Sequence, residues 1–389
     1  MKVYLKKKIK NRVKNGHPWI YENEIEHIDG TPQNGDIVSV FNHERRFVGK
    51  GYINFNSKIR IRILTRLNEE INKSFFEKRI KEALLRRNPK EESFRIIFSE
   101  ADNLPGIIAD KFGDYIVIEI NTLGMEKFKN EILDILINTF SPKGIFEKSE
   151  SSSRIKEGLQ ESVGWIYKSG PELIPYKVND ILFFADTLGQ KTGAFLDQRF
   201  NALSLKNYSK DAICLDAFCY TGNFGMHMLK FGAKHVTFLD YSERAIEVVN
   251  ITAKKNNFKN YDTIIGNAFD ILKSYDNNSK IFDIISIDPP AFAKNANSKA
   301  NAIRGYKEIN LRAMKILKNN GILATSSCTQ VITEEDFKNI IFSAAVDAGK
   351  LARILFRGDQ PYDHPYVLNI LETKYLKFLL LQLENMKGV

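Results

Sequence analysis

Apolar positions along this chain change their spacing several times, and each change marks an element. Over Asp36 to Phe41, Arg46 to Ile53 and Lys58 to Ile63 they follow the two-residue period of strands with one buried face. In the last run Lys58, Arg60 and Arg62 share one face and the isoleucines the other, so the segment from Val3 to about Leu67 predicts a small β-barrel with a basic outer face. From Ile71 to Arg87 the spacing of Phe76, Ile80, Ala83 and Leu84 is helical, and Asn88 with Pro89 stops the helix. Strands are predicted at Phe94 to Phe98, Gly106 to Ala109 and Tyr115 to Ile120, then a helix from Glu126 to Phe140. The polar stretch Glu147 to Leu159, with Lys148, Arg154 and Lys156 among serines, reads as an exposed connection or as a face for RNA. Ile181 to Phe184 and Gly193 to Arg199 read as a hairpin-like lead into the second half of the chain.

That second half alternates strand and helix. Ile213 to Ala217 is a short apolar run, Gly222 and Gly225 lie in the turn behind it, a helix runs from Asn223 to Phe231, and Gly232 closes it before the strand His235 to Leu239. Helices at Ser242 to Asn256, Ala268 to Ser274, Ala300 to Lys318 and Glu334 to Ala348 alternate with strands at Thr263 to Ile265, Phe282 to Ile287, Ile322 to Thr325 and Leu351 to Phe356. A last strand, Tyr375 to Gln382, comes without a long helix before it and is expected to pair antiparallel. The pattern predicts a seven-stranded, doubly wound α/β sheet of Rossmann-like type. The expected organisation is a β-barrel over 1–70, a small central α/β domain over 71–185 and the doubly wound domain over 186–389.

Composition supports several domains rather than one, with 389 residues of which 43% are hydrophobic. Cys214, Cys219 and Cys328 are an odd, sparse set, which points to reduced thiols. The basic N-terminus has no apolar run behind it and the chain has no long apolar segment, so a cytoplasmic protein without a membrane span is expected. The net charge of +10 is concentrated early: Met1 to Arg66 holds 14 Lys and Arg against six Asp and Glu. A basic module beside a ligand-binding sheet suggests a polyanionic partner, nucleic acid first. Lys6, Lys7, Lys8, Lys58, Arg60 and Arg62 are the candidate RNA contacts. The six histidines show no ligand-like spacing, so no metal is expected.

In doubly wound sheets ligands bind beyond the carboxyl ends of the strands, and Asp216, Asp240, Asn267, Asp288 and Cys328 all fall there. The turn Asp216 to Gly225 lacks the G-x-G-x-x-G that brings a backbone against a pyrophosphate, which favours S-adenosylmethionine over a dinucleotide. An acidic end to the second strand, Asp240, can accept both ribose hydroxyls. Tyr220, Thr221 and Gly222 of the turn, and Tyr241 and Ala268 beside the next two strand ends, join the same candidate cofactor site. The fourth strand ends in Asp288, Pro289, Pro290, Ala291 and Phe292, a stiff loop with an acidic group for a planar substrate. Cys328 lies just beyond the fifth. A thiolate there could add to carbon 6 of a pyrimidine and make carbon 5 nucleophilic. Cys214, mid-strand, reads as a small buried hydrophobe, and Cys219 as a residue packing in the turn.

The stretches GHPWIYENEI at Gly16, SEADNLPGIIADKFGDY at Ser99, KTGAFLDQR at Lys191, LDAFCYTGNFG at Leu215, IDPPAFAKN at Ile287, SSCTQVI at Ser326 and DHP at Asp363 carry a resemblance over nearly the whole chain. It resembles the PUA-containing ribosomal RNA cytosine-5 methyltransferases of the large-subunit type. That resemblance implies an N-terminal PUA domain, a central α/β domain helping to hold RNA, and a class I methyltransferase domain making 5-methylcytosine in 23S ribosomal RNA. It implies Cys328 as nucleophile and Asp288 as the group hydrogen-bonding the cytosine ring. Phe218, Gly222, Asp240 and Asn267 would contact S-adenosylmethionine, with Asp197, Gln198 and Arg199 closing over cofactor or substrate. The family often has aspartate at the position of Asn267, so that contact would use the amide oxygen. Two other readings stand beside it: a guanine, nitrogen-directed methyltransferase on the same fold in which Cys328 only packs, and a non-catalytic RNA-binding or assembly protein. Homodimer formation is left open.

Overall fold

The computed structural model describes residues 1–7, 11–88, 90–293 and 295–386. Lys8 and Lys10 of the early basic run, and Pro89 behind the first long helix, lie outside the described residues. The chain forms two compact units, one of residues 1–176, 185–193 and 362–373, the other of residues 177–184, 194–361 and 374–389.

In the first unit, β1 (Lys2–Leu5), α1 (Asn11–Lys14), β2 (Trp19–Tyr21), β3 (Ile25–Asp29), β4 (Ile37–Phe41), β5 (Phe47–Ile53) and β6 (Ile59–Thr65) form a mixed sheet in the order β2-β6-β5-β4-β1-β3. Val3, Leu5, Val38, Val40, Ile53 and Ile61 fill its core. The expected basic outer face is corrected at two of its three positions. Arg60 and Arg62 are each only 8% exposed, while Lys58 is exposed. Arg60 pairs with Glu22 at 2.9 Å, and Arg62 with the buried Glu157 at 2.7 Å. Period two placed these arginines opposite the isoleucines, but β6 is buried on both faces, so alternation along it does not separate core from solvent.

The central part contains α2 (Lys73–Leu84), β7 (Phe94–Phe98), β8 (Ile107–Phe112), β9 (Tyr115–Ile120), α3 (Leu123–Lys127), α4 (Lys129–Phe140), β10 (Gly144–Ser149), α5 (Ser152–Lys156) and β11 (Ser162–Tyr167). Its sheet runs β11-β10-β9-β8-β7. The expected single helix over 126–140 is two, broken at Phe128, which caps both. The polar 147–159 stretch is not a loop: it ends β10 and contains α5, and although Lys156 is exposed as expected, Lys148 and Arg154 are only 3% and 4% exposed. Arg154 is buried because its guanidinium satisfies the Gln160 carbonyl at 2.5 Å and Glu126 at 2.7 Å. β12 (Leu173–Val178) pairs with β13 (Ile181–Asp186), so the partner expected at 193–199 lies before Ile181 rather than after it.

The second unit is the seven-stranded sheet: β14 (Ile213–Ala217), α6 (Asn223–Lys230), β15 (His235–Asp240), α7 (Glu243–Lys255), β16 (Tyr261–Ile265), α8 (Ala268–Asn277), β17 (Phe282–Ile287), α9 (Lys299–Lys315), β18 (Leu317–Ser327), α10 (Glu334–Asp347), β19 (Lys350–Gly358) and β20 (Lys377–Asn385). The order is β16-β15-β14-β17-β18-β20-β19, with the first five parallel and β20 antiparallel to both neighbours. This is the expected doubly wound sheet with its reversed last pair. Leu215, Leu239, Phe282, Ile285, Tyr306, Leu323 and Phe337 lie in its main core. Among the described residues no helix is long and apolar enough to cross a membrane.

Candidate active site

Every parallel strand of the second unit ends at one edge, and the side chains of interest collect there. β14 delivers Asp216, which is 1% exposed, and its register partner on β17 is Ser286. The Ser286 hydroxyl donates to Asp216 Oδ1 at 2.6 Å, and the Gly225 amide to Oδ2 at 2.8 Å, tying strand, neighbour and helix start together. Burial pushes this carboxyl up to about 7.

The turn behind β14 is strained. Phe218, Tyr220 and Gly222 all have positive φ, at 59°, 46° and 87°. Such values cost a bulky residue about 1–3 kcal/mol each, and residues held this way cluster at ligand sites. Tyr220 and Ser242 donate backbone N–H groups to the two oxygens of Asp240, at 2.8 and 2.9 Å, which fixes that carboxylate at the end of β15. The first turn of α6 offers donors to a ligand: the amides of Asn223 and Phe224 have no acceptor among the described residues, and the Asn223 side-chain nitrogen is buried without a partner. Phe218 lies edge-on to Phe269 at 6.3 Å. Tyr241 is 81% exposed and Ala268 is buried. Asn267 caps α8, its Oδ1 accepting from Phe269 N at 2.9 Å, so the amide oxygen expected to meet an adenine already has a backbone partner. Strained turn, orphaned donors and a fixed carboxylate together fit a ligand with a charged amino-acid end and a ribose.

At the next two strand ends the chemistry changes. Asp288 accepts from Gln198 Nε2 at 3.0 Å and from the Ser326 hydroxyl, both at Oδ1; its Oδ2 has no partner among the described residues. Asn201 donates to Gln198 Oε1 at 2.7 Å and sets the amide's orientation. Burial, then the charge of Asp197, pushes Asp288 up to about 6. Cys328 is the one partly exposed cysteine; Cys214 and Cys219 are buried. Its sulfur lies 3.8 Å from the Pro289 carbonyl, which brings the thiol and the Asp288 loop together as expected from their strand ends. Burial and the charges of Asp288 and Asp197 push the thiol up to about 12. Asp197 accepts from Tyr375 at 2.7 Å, and Arg199 is buried, donating to the Leu196 carbonyl at 3.0 Å.

A PUA-like domain family matches residues 3–66, and a methyltransferase domain family matches residues 208–359. The ribosomal RNA large subunit methyltransferase I of Vibrio vulnificus strain YJ016 is 36% identical over 386 residues, covering 96% of this chain and 97% of that protein. The chain belongs to the ribosomal RNA large subunit methyltransferase I family. The member from Tolumonas auensis is likewise 36% identical, over 391 residues and 98% of each chain. The crystal structure of SMU.776 complexed with SAH has a TM-score of 0.84 at 20% identity, covering 98% of this chain and 100% of that one, a likeness of fold.

Within this chain, sequence reasoning missed four residues that shape the site. Ser326 and Asn201 brace Asp288 directly and through Gln198. Tyr306 joins the site from α9, its hydroxyl 2.8 Å from Thr329 Oγ1. Lys377 joins it from β20. Tyr306 and Lys377 come from elements far along the chain, so spacing gave no signal for them; Ser326 precedes the cysteine by two and was legible as a strand-end hydroxyl. Of the RNA candidates, Lys6 and Lys7 are exposed as Lys58 is.

Proposed function

We propose that this chain is an S-adenosylmethionine-dependent methyltransferase that forms 5-methylcytosine in large-subunit ribosomal RNA through a covalent adduct of Cys328. The observation that carries the reading is the meeting of a partly exposed cysteine with a braced, half-buried carboxyl at adjacent strand ends, in a chain of this family. The turn Phe218 to Gly222, the Asn223 amide and Asp240 would hold the cofactor, with Asn267, Tyr241 and Ala268 around its adenine. Bound there, S-adenosylmethionine supplies an electrophilic methyl group.

The rest is done by the protein. Asp288, held at Oδ1 by Gln198 and Ser326, keeps Oδ2 for the cytosine ring. A carboxyl pushed up to about 6 can carry a proton near neutrality and donate it in a hydrogen bond to ring nitrogen 3, which draws electron density from carbon 6. The Cys328 thiolate then adds its electron pair to carbon 6, and carbon 5 becomes the nucleophile. After methylation, the carbon 5 proton passes to solvent, its bonding pair restores the 5,6 double bond and expels the thiolate, and the proton shared with ring nitrogen 3 returns to Asp288. RNA is held by the N-terminal part, and the working division is 1–70, 71–185 and 186–389. Lys6, Lys7 and Lys58 are its proposed exposed contacts.

The test is mass spectrometry of nucleosides from ribosomal RNA of a strain lacking this protein, after incubation with the pure protein and labelled S-adenosylmethionine. Labelled 5-methylcytidine is expected. Labelled methylguanosine would move Cys328 back to packing, and no labelled nucleoside would favour an RNA-binding role without catalysis.

A further inference from the structure

A thiol pushed up to about 12 is a poor nucleophile, so the covalent reading needs something that favours its ionised form. Lys377 opens β20 and stands opposite Ser327 in the antiparallel ladder with β18, one residue before Cys328. It is 6% exposed. Its ammonium donates to the Thr329 carbonyl and to the Tyr375 carbonyl, each at 2.7 Å. Among the described residues no carboxylate lies within ion-pair distance of it, unlike the neighbouring Lys374, which pairs with Glu334 and Asp359. Keeping a buried ammonium on two carbonyls alone is costly, and a negative charge forming beside it would repay part of that cost.

The charges around the thiol divide by sign. Asp288 after β17 and Asp197 before β14 oppose its ionisation, Tyr306 on α9 is a neutral neighbour itself pushed up to about 12, and Lys377 is the cation favouring the thiolate. Around the lysine stand Cys328, Glu334, Asp359 and the like-charged Lys374, with burial pushing the ammonium down to about 8.

We propose that Lys377 is a positioning residue of the reaction: its ammonium is the counter-charge that lets Cys328 lose its proton and act as a thiolate. The S–H bond breaks with its electron pair left on sulfur, the proton goes to solvent, and the lysine keeps its own three. This rests on the covalent reading above and names the group that makes it feasible.

The experiment measures the rate of Cys328 alkylation by iodoacetamide against pH in the full chain, read by mass spectrometry on the peptide holding Cys328. Lys377→Gln keeps donors for the two carbonyls and removes the charge, Lys377→Met removes both, and Lys377→Arg keeps charge and donors. We expect alkylation below about pH 8, where the ammonium still carries its charge, to slow about tenfold or more in the Gln and Met variants, and to return close to wild type in the Arg variant. If Lys377→Met does not fold, Lys377→Gln carries the comparison. An unchanged alkylation rate below about pH 8 in Lys377→Gln, or an Arg variant slowed as much as the Gln variant, would overturn the proposal and leave the lysine a loop anchor. Failure of the underlying reading looks different: Cys328→Ala would still form 5-methylcytidine, whatever the alkylation curves show.

Discussion

Asp216 and His227 show how single buried groups in the catalytic unit couple its stability to pH. Asp216, pushed up to about 7 from 3.8, keeps in the folded state a proton that the unfolded chain has released. Its stabilising effect is full below the unfolded value and is lost as pH rises through about 7. His227 is fully buried, with Nδ1–H donating to the Asn223 carbonyl at 2.7 Å and Nε2 accepting from Asn179 at 2.9 Å, so the imidazole is neutral. Pushed down to about 4, it stabilises fully above its ordinary 6.5 and loses that effect as pH falls toward 4. Thermal melts between about pH 4 and 7 should therefore show that Asp216→Asn removes a fall of melting temperature with rising pH, and His227→Gln a fall with falling pH. Parallel slopes in mutant and wild type would show that other groups set the pH dependence. Catalysis separates from stability at the next strand ends. Cys328→Ala should abolish methyl transfer with cofactor binding nearly intact by calorimetry, and Asp288→Asn should slow turnover by roughly 10²–10⁴ while the melting curve moves little.

At the level of elements, the cofactor turn depends on how closely α6 can approach β15. A Cβ on Gly225 would sit 2.1 Å from the Phe238 ring, so Gly225→Ala must push helix and strand apart. Chemical denaturation should show a loss of about 1–3 kcal/mol or more, together with weaker cofactor binding because the Gly225 amide also holds Asp216. The first unit has its own buried weak point in Arg62 and Glu157, where Glu157→Ala leaves an unpaired guanidinium and should cost about 3–5 kcal/mol, while the joint change to Leu and Met should recover much of it. The doubly wound elements were legible in the sequence because short apolar runs alternate with helical spacing, and strands end at acidic residues or capped helices. Those same strand ends gave Asp216, Asp240, Asp288 and Cys328. What was not legible required contacts between distant segments. Alternation alone did not reveal that Arg60 and Arg62 face acidic partners rather than water, or that Lys148 and Arg154 are buried by carbonyls and carboxylates. Nor does any local pattern in Tyr375 to Gln382 announce that its Lys377 stands opposite Ser327.

Across the whole molecule the excess positive charge predicts a salt-sensitive hold on RNA. Filter binding across a salt series should give a slope of about −0.7 per phosphate contacted, and Lys6→Ala, Lys7→Ala and Lys58→Ala should each lower that slope, whereas Arg62→Ala should act mainly on stability because its charge is spent on Glu157. A flat salt series would place the RNA elsewhere. The placing of β20 between β18 and β19 also has a consequence in time. During synthesis β18 and β19 leave the ribosome first, yet β19 has no partner in the sheet until the later segment inserts between them. The thiol of Cys328 is thus made well before the lysine that stands beside it. If Lys377 acts as proposed, a nascent chain short of it carries the thiol without its counter-charge, so the order of synthesis separates the nucleophile from the group that activates it.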